Sequence, residues 1–259
     1  MTNLPQILRT RTVAPGQLAL YWLCQAGFAF KTSSNQIILI DPYFSDVVER
    51  VIGFKRMMAC PIAPEDVSAD LVVCTHEHLD HMDTDALTTL SRSSSTHFAG
   101  PIECVREFER LGIPAGRRHL LVEGQPYKHG GTTVHPVYAD HGDLAPDALG
   151  IVLDLEGVTV YHTGDTAYRP EQFKAALDLK PDILLPCING AFGNMNARQA
   201  AQTTQLIAPR MVVPTHFGMF VEQNGNPAEF LRECAQLAPD TRAVLLTPGE
   251  EFIFERNSH

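Results

Sequence analysis

The stretch Thr75-His76-Glu77-His78-Leu79-Asp80-His81 decides how the chain is interpreted. It places three imidazoles and the Asp80 carboxylate directly after a short apolar run. Neutral imidazole and carboxylate are ligands that hold zinc, manganese or iron in proteins. A β-branched run followed by such ligands predicts a buried strand that ends in a loop, which is where α/β sheets usually carry their ligands. The stretch therefore predicts a metal site on a rigid sheet edge rather than a solvated polar loop.

Further metal-ligand candidates follow predicted strands later in the chain. One alternating strand stops at a Gly-Asp turn that exposes Asp165 on a tight corner. Another apolar strand ends in His216, in the same order of strand and ligand as the first stretch. A third strand contains His135 within it and His141 beyond its end. We favour His141 as the ligand because it follows its strand, and His135 is the alternative.

Two residues are candidates for supporting these ligands. Asp41 precedes a proline at a strand end, where it either orients a ligand or makes a plain turn. His162 either hydrogen-bonds a ligand or fills the core. Isolated histidines are more often structural than functional, which applies to His97, His119 and His129.

The composition is that of an ordinary enzyme and excludes several function classes. Of 259 residues, 44% are hydrophobic and 19% are charged, which argues against disorder. A formal net charge of -10 without a Lys/Arg cluster argues against nucleic-acid binding. No run approaches ~18 consecutive apolar residues and the first residues lack the apolar core of a signal peptide, so we expect no membrane partner and a cytoplasmic location. The six cysteines have no C-x-x-C spacing, which disfavours a disulfide framework or a thiolate zinc site.

The order of apolar patterns predicts one α/β domain. Three runs within residues 18–41 predict an antiparallel meander. Further strands are predicted at 69–75, 96–99, 131–139, 148–155, 158–162, 182–187, 211–215, 243–246 and 251–254. Helices are predicted at 83–91, 102–111, 170–179, 197–208 and 227–237. We expect a single domain over residues 1–259, made of two similar halves (about 1–115 and 116–259), with two mixed sheets packed face to face between outer helices.

The residues 76–81, followed in order by His141, Asp165 and His216, resemble the metallo-β-lactamase superfamily. The resemblance implies an αβ/βα four-layer sandwich of two mixed sheets flanked by helices, with a two-metal site. Segments such as 161–168 are most similar to the L-ascorbate-6-phosphate lactonase group. The resemblance also implies a small-molecule substrate and an assembly of identical chains.

The resemblance implies how two divalent metal ions are bound, with manganese or zinc expected and iron as an alternative. One ion takes His76, His78 and His141, the other takes Asp80, His81 and His216, and Asp165 is shared. Coordination lowers the pKa of a bound water from ~15.7 toward ~7, so a hydroxide can attack the carbonyl of a lactone or related carboxylic ester. Asp80 then orients this hydroxide or moves a proton to the leaving oxygen. Tyr168 either donates a phenol proton near the carbonyl or packs in the core.

The expected substrate is a small polar sugar acid, with or without a phosphate. A loop rich in Gly and Asn precedes the helix at 197, which makes Asn189, Asn194 and Asn196 candidate substrate ligands. Asn196 would be the N-cap of a helix whose start faces an anion, unless these residues only make turns. A two-metal phosphodiesterase is the alternative activity. A non-catalytic protein of this fold would require lost ligands, and the sequence has lost none.

Overall fold

Two seven-stranded sheets pack face to face in the computed structural model, which describes residues 4–256. The first sheet contains, from edge to edge, β14 (Glu251–Glu255), β1 (Gln17–Trp22), β2 (Phe28–Lys31), β3 (Ile37–Ile40), β4 (Leu71–Val73), β5 (His97–Gly100) and β6 (Arg118–Leu120). The second contains β13 (Arg242–Ala243), β12 (Met211–Val212), β11 (Ile183–Leu185), β10 (Val158–His162), β9 (Leu149–Leu155), β8 (Thr132–Tyr138) and β7 (Tyr127–His129). The predicted architecture of two mixed sheets is confirmed.

Helices lie outside and between the strands. They are α1 (Leu4–Thr10), α2 (Val47–Ile52), α3 (Thr84–Leu90), α4 (Ile102–Arg110), α5 (Lys174–Asp178), α6 (Ala197–Ile207) and α7 (Pro227–Leu237). Short 3-10 turns occur at Pro64–Asp66, Ala115–Arg117, Gly142–Leu144, Pro170–Gln172 and Val221–Gln223. Across residues 4–256, no helix has the length and apolar character needed to cross a membrane.

Most predicted elements are present, and their differences from prediction have local causes. The antiparallel meander is confirmed as β1, β2 and β3. The helix predicted over 170–179 is divided into a 3-10 turn and α5, with Phe173 between them. The sequence did not predict α1, α2, β6 or β7, because these segments are short and lack a clear apolar period.

The alternation of side chains along β1 shows how the layers are built. Leu18, Leu20 and Trp22 belong to the core between the sheets, whereas Ala19 and Tyr21 face the core under the outer helices. Fully burying one Leu-sized side chain contributes roughly 1.5–3 kcal/mol. A slip by one residue would exchange the two sets, so burial on both faces fixes the strand register. Fixed registers in turn fix where each strand ends.

The strand directions bring several strand ends to one edge of the sandwich. In the first sheet β3, β4 and β5 are parallel, and in the second β10, β11 and β12 are parallel. Because β9 is antiparallel to both β8 and β10, β8 ends on the same side as β10. The loops after β3, β4, β8, β10 and β12 therefore open at neighbouring positions.

The last strand of the described chain returns to the first sheet. β14 pairs with β1 in antiparallel register, with Leu18 opposite Phe254. β6 and β14 thus lie in the first sheet, although both fall within residues 116–259. The two sheets and the two predicted halves do not coincide at these strands.

Glu156 connects the two sheets through a turn. It lies between β9 and β10, and its carboxylate accepts hydrogen bonds from Thr32, Ser33 and Ser34 in the turn between β2 and β3. Partial burial alone would raise the pKa of Glu156, but these hydrogen bonds lower it below its ordinary value of 4.5. The ionised carboxylate therefore stabilises the folded state.

We expect Glu156→Gln to lower the free energy of unfolding by about 1 kcal/mol near neutral pH, after allowance for partial exposure. The folded-state pKa lies below the unfolded value, so this contribution is fully present above pH 4.5 and is lost as pH falls through the folded pKa. Urea unfolding at about pH 7 and about pH 3 measures the difference. Exposed Glu123, changed to Gln, is the control. A deficit of equal size at both pH values would contradict this account.

Candidate metal centre

The loop after β4 gathers the ligands of the 76–81 stretch. A tight turn, in which the His81 backbone N–H donates to the His78 carbonyl at 2.9 Å, folds the stretch back on itself. His76 Nε2 lies 3.0 Å from His78 Nδ1, and the rings of His76 and His81 are 4.1 Å apart. His76 and His81 are fully buried, and Asp80 is 9% exposed. The stretch forms a compact cluster at the sheet edge.

Later strand ends bring two more imidazoles to this cluster. His141 follows β8, and its ring lies 5.2 Å from that of His76 and 5.1 Å from that of His78. His216 follows β12, and its ring lies 5.2 Å from that of His81. The structure therefore brings His141 to the cluster, whereas His135 lies within β8 and lines a separate cavity.

Asp165 lies between two groups of imidazoles. Its Oδ1 is 3.3 Å from His81 Nε2 and 3.2 Å from His216 Nε2. Its Oδ2 is 3.8 Å from His141 Nε2. Potential ligand atoms lie within 4.8 Å of one another in three overlapping groups: His76, His78 and His141; His76, His81 and Asp165; and Asp80, His81 and His216. The two oxygens of this one carboxylate thus face different groups.

The Gly-Asp corner requires glycine and is held by His162. Gly164 has φ +61°, and a Cβ there would lie 2.9 Å from the Leu149 carbonyl oxygen and 3.1 Å from Thr75 Cβ. The Gly164 N–H donates to His162 Nδ1 at 3.0 Å, and His162 Nε2–H donates to the Ala26 carbonyl at 2.8 Å. His162 is therefore buried and positions the corner through its backbone, rather than by bonding another imidazole.

Hydrogen bonds fix which nitrogen of two histidines faces the cluster. Asp41 Oδ2 accepts from His81 Nδ1 at 2.7 Å and from Thr75 Oγ1 at 2.7 Å. This arrangement leaves His81 Nε2 directed at the cluster. The Nε2–H of His78 donates to the Leu144 carbonyl at 3.1 Å, which leaves Nδ1 for a metal. Asp41 thus makes the contact expected of a residue that orients a ligand.

Buried carboxylates and imidazoles determine one another's pKa. Burial alone would raise the pKa of Asp80 and of Asp165, but the neighbouring imidazoles lower both below the ordinary value. Burial alone would lower the pKa of His216, but Asp165 and Asp80 raise it to about 9. Burial lowers the pKa of His76 well below the ordinary value, with His81 adding to the effect. The carboxylates stay ionised and His76 stays neutral, whereas His216 holds a proton near neutral pH that a bound cation would displace.

The donor set fits divalent metal. Asp165 Oδ1 and His81 Nε2 are buried and make no hydrogen bond, although they lie only 3.3 Å apart. Buried polar atoms without partners are rare in folded proteins, and a cation between them would satisfy both. Imidazole nitrogen and carboxylate oxygen accept zinc, manganese and iron alike. The residues therefore fit a divalent cation without selecting one metal.

Sequence reasoning missed Gln25, which lies in the turn between β1 and β2. Its Nε2 donates to Asp80 Oδ2 at 2.7 Å and lies 3.1 Å from His216 Nε2, and the side chain is 1% exposed. Gln25 and neighbouring Cys24 both have positive φ, as do Asp41 and His216. Non-glycine residues in this conformation are uncommon, and they concentrate at sites where the surrounding structure holds them. A Gln in a turn carries no sequence signal for this contact.

The asparagines of the loop before α6 have structural contacts. Asn194 Nδ2 donates to Asp165 Oδ2 at 2.6 Å, and Asn189 Nδ2 donates to Gln223 Oε1 at 3.0 Å. Asn196 is the N-cap of α6, as predicted, in a capping box with Gln199. Of this loop, Phe192 and none of the three asparagines lines the cavity beside the cluster.

That cavity has a volume of about 320 Å³ and borders the ligands His78, Asp80, His141 and Asp165. Tyr168 does not line it; its ring packs 6.4 Å from that of Phe173. A larger depression of about 630 Å³ elsewhere contains none of the clustered ligands. The smaller cavity is therefore the place where a substrate can reach the cluster.

Three histidines that the sequence treats as isolated lie together on β5, β6 and β7. His97 Nδ1 is 2.8 Å from His119 Nε2, and the rings of His97 and His129 are 4.5 Å apart. They are outside the three metal-binding groups found among the described residues.

The fold and the ligand cluster define the class of protein, a metallo-β-lactamase-like sandwich with a metal-binding edge. A family model described as the Beta-lactamase superfamily domain matches residues 19–216. The chain therefore belongs to this superfamily.

Relatives define the narrower family. A UPF0173 metal-dependent hydrolase of Methanosarcina mazei is 30% identical, over 91% of this chain and 98% of that protein. One of Polynucleobacter asymbioticus is 29% identical, over 93% of this chain and 88% of that protein. Igni18, a metallo hydrolase from Ignicoccus hospitalis, has a TM-score of 0.76 at 26% identity, over 92% of this chain and 99% of that one. The chain belongs to the UPF0173 metal-dependent hydrolase family, and these comparisons give the narrower resemblance to the L-ascorbate-6-phosphate lactonase group no support.

We expect Gln25→Leu to weaken metal retention by about 10- to 100-fold, because it removes the amide that holds Asp80 and His216. The measurement is metal content after timed exposure to a chelator, with thermal unfolding to verify the fold. Gln205→Leu, at an exposed position on α6, is the matched control. Unchanged resistance to the chelator in Gln25→Leu would show that the amide does not position these ligands.

Proposed function

We propose that this metal-dependent hydrolase opens a lactone or cleaves a related carboxylic ester, with two divalent ions bound on either side of Asp165. The observation that carries the proposal is the division of the cluster by this carboxylate. Its Oδ1 faces His81 and His216, and its Oδ2 faces His141. A shared carboxylate between two ligand groups is suited to hydrolysis by a pair of ions.

In this proposal one group is His76, His78 and His141, and the other is Asp80, His81 and His216. Two cations held there would lower the pKa of a bound water toward ~7 and polarise the carbonyl oxygen under attack. The protein's own contribution is to hold the ligands in place. Asp41 and the Leu144 carbonyl fix the orientations of His81 and His78.

Asp80 is the residue to which we assign the orientation of the attacking water. It lines the cavity, and its Oδ2 is held by Gln25 at 2.7 Å. Because its pKa is lowered by His81 and His216 against the effect of burial, it stays ionised and accepts hydrogen bonds. An ionised carboxylate that accepts hydrogen bonds can orient a water. It carries no proton to deliver to the leaving oxygen.

The charges of the cavity disfavour a substrate that carries a phosphate away from its reacting group. Among the described residues that line it there is no Lys or Arg, and the lining carboxylates are Glu77, Asp80 and Asp165. A phosphate is usually bound by Arg, Lys or a helix N-terminus. A phosphate remote from the reacting carbonyl, as in the phosphorylated sugar acid expected from the resemblance, lacks such a partner here. The reacting phosphate of a phosphodiester would instead meet the two ions themselves, so this alternative is left to the assay.

We expect the metal-loaded protein to hydrolyse simple lactones or carboxylic esters, and His78→Ala to lower kcat/KM by at least about a hundredfold through loss of a ligand. Initial rates with manganese or zinc, against lactones, aryl esters and an aryl phosphodiester, measure this. His135→Ala is the matched control because His135 lies outside the cluster.

Equal rates in the wild type and His78→Ala would contradict the hydrolase mechanism. Turnover of the phosphodiester without turnover of any ester or lactone would select the alternative activity.

A further inference from the structure

We propose that the substrate is neutral and carries an apolar alkyl or aryl substituent that occupies the cavity beside the cluster. This inference rests on the proposed ester or lactone hydrolysis and specifies its substrate class. It replaces the polar sugar acid with a different chemistry. Four observations support it: the apolar lining of the cavity, the exposure of the apolar residues at its rim, the backbone conformation of Phe192 and the negative charge of the lining side chains.

The walls of the cavity are apolar, and separate segments supply them. The wall residues are Val48 and Ile52 of α2, Phe54, Leu79, Leu144 and Phe192. The ligands His78, Asp80, His141 and Asp165 lie in the same cavity. An apolar chamber that contains a few polar groups is the usual form of a small-molecule site.

Several wall residues stay exposed although they are large and apolar. Ile52 is 55% exposed, Leu144 is 51% exposed and Phe192 is 50% exposed. Single exposed apolar residues are common, but a group of them around one cavity marks a binding surface. Because this group borders the metal ligands, the ligand that covers it must also reach the cluster.

Phe192 is held in a conformation that phenylalanine rarely adopts. Its φ is +52°, in the left-handed region. Its ring lies 6.4 Å from that of Phe54, at an interplanar angle of 30°. A bulky side chain in this region costs conformational energy. The Phe192 ring is also 50% exposed. A function for that ring in binding explains both features.

The charges of the cavity disfavour an anionic substituent. Glu77 lines it, and Glu77 Oε2 is buried without a hydrogen-bond partner. None of the described lining residues is cationic. An anionic group on the substrate would therefore meet a carboxylate and find no counter-charge apart from the metal site itself. A neutral hydrocarbon group meets neither penalty.

The test is a series of γ-lactones whose alkyl substituent grows from methyl to octyl, together with a lactone of equal length that ends in a carboxylate. For the wild type we expect kcat/KM to rise about three- to fourfold per methylene until the cavity is filled. We expect the gain to appear mainly in KM, since uniform binding is its source. The carboxylate-ended lactone should be poorer than its neutral partner by at least about tenfold.

Substitutions in the cavity wall test whether this wall causes the dependence of kcat/KM on chain length. Phe192→Ala and Leu144→Ala should flatten the dependence on chain length, so that the loss of kcat/KM relative to the wild type grows with each added methylene. Leu206→Ala is the matched control, because Leu206 is 39% exposed on α6 and does not line the cavity. It should retain the wild-type dependence.

A second readout does not need turnover. Alkyl lactams of the same series resist hydrolysis, and titration calorimetry on the wild type and Phe192→Ala gives their Kd. We expect tighter binding with each methylene in the wild type and a weakened trend in the variant. Lactam binding of this kind without hydrolysis of any lactone or ester would overturn the proposed function and support the apolar cavity.

Other results overturn the inference. Hydrolysis whose kcat/KM is flat with chain length, or best for the carboxylate-ended lactone, would contradict the apolar substituent while supporting the proposed function. If the protein shows no hydrolysis and also no chain-length-dependent binding, the proposed function and the inference about its substrate are both overturned.

Discussion

One electrostatic constraint governs the site: the Asp165 carboxylate is ionised and buried among imidazoles. An ionised carboxylate in the interior requires compensation, and His81 and His216 lie 3.3 and 3.2 Å from its Oδ1. Asn194 donates to its other oxygen at 2.6 Å. The same constraint explains why the imidazoles collect at this edge and why their free nitrogens face the carboxylate. Divalent cations would satisfy the charges and the unpartnered atoms together.

The sandwich meets this constraint through strand direction. Parallel neighbours in each sheet end at the same edge, so residues far apart in the chain meet there without long loops. Backbone strain accompanies this placement. Gln25, Asp41, Phe192 and His216 all have positive φ without being glycine. The buried strands hold these turns in backbone conformations that are unfavourable for non-glycine residues.

The sequence predicts what is local or periodic. The spacing within 76–81 and the strand-then-ligand order before Asp165 and His216 are readable because each lies in one short segment. The contacts of Gln25 could not be predicted from the sequence, because its partners are 55 and 191 residues away. The return of β14 to the first sheet is a long-range pairing for the same reason. Substrate chemistry depends on which loops converge on the cavity, and this convergence cannot be predicted from one segment. The asparagines of residues 189–196 indicated a polar pocket. In the structure Phe192 of this loop lines the cavity instead. An assembly of identical chains stays a prediction.

The proposed hydrolysis requires two cations that share Asp165. Crystals grown with manganese or zinc, measured with X-rays at the absorption edge of the added metal, test this requirement. We expect two anomalous peaks on opposite sides of the Asp165 carboxylate, each within about 2.0–2.3 Å of its imidazole nitrogens. One peak should border His78 and His141, and the other His81 and His216. A single peak, or peaks away from Asp165, would contradict the account.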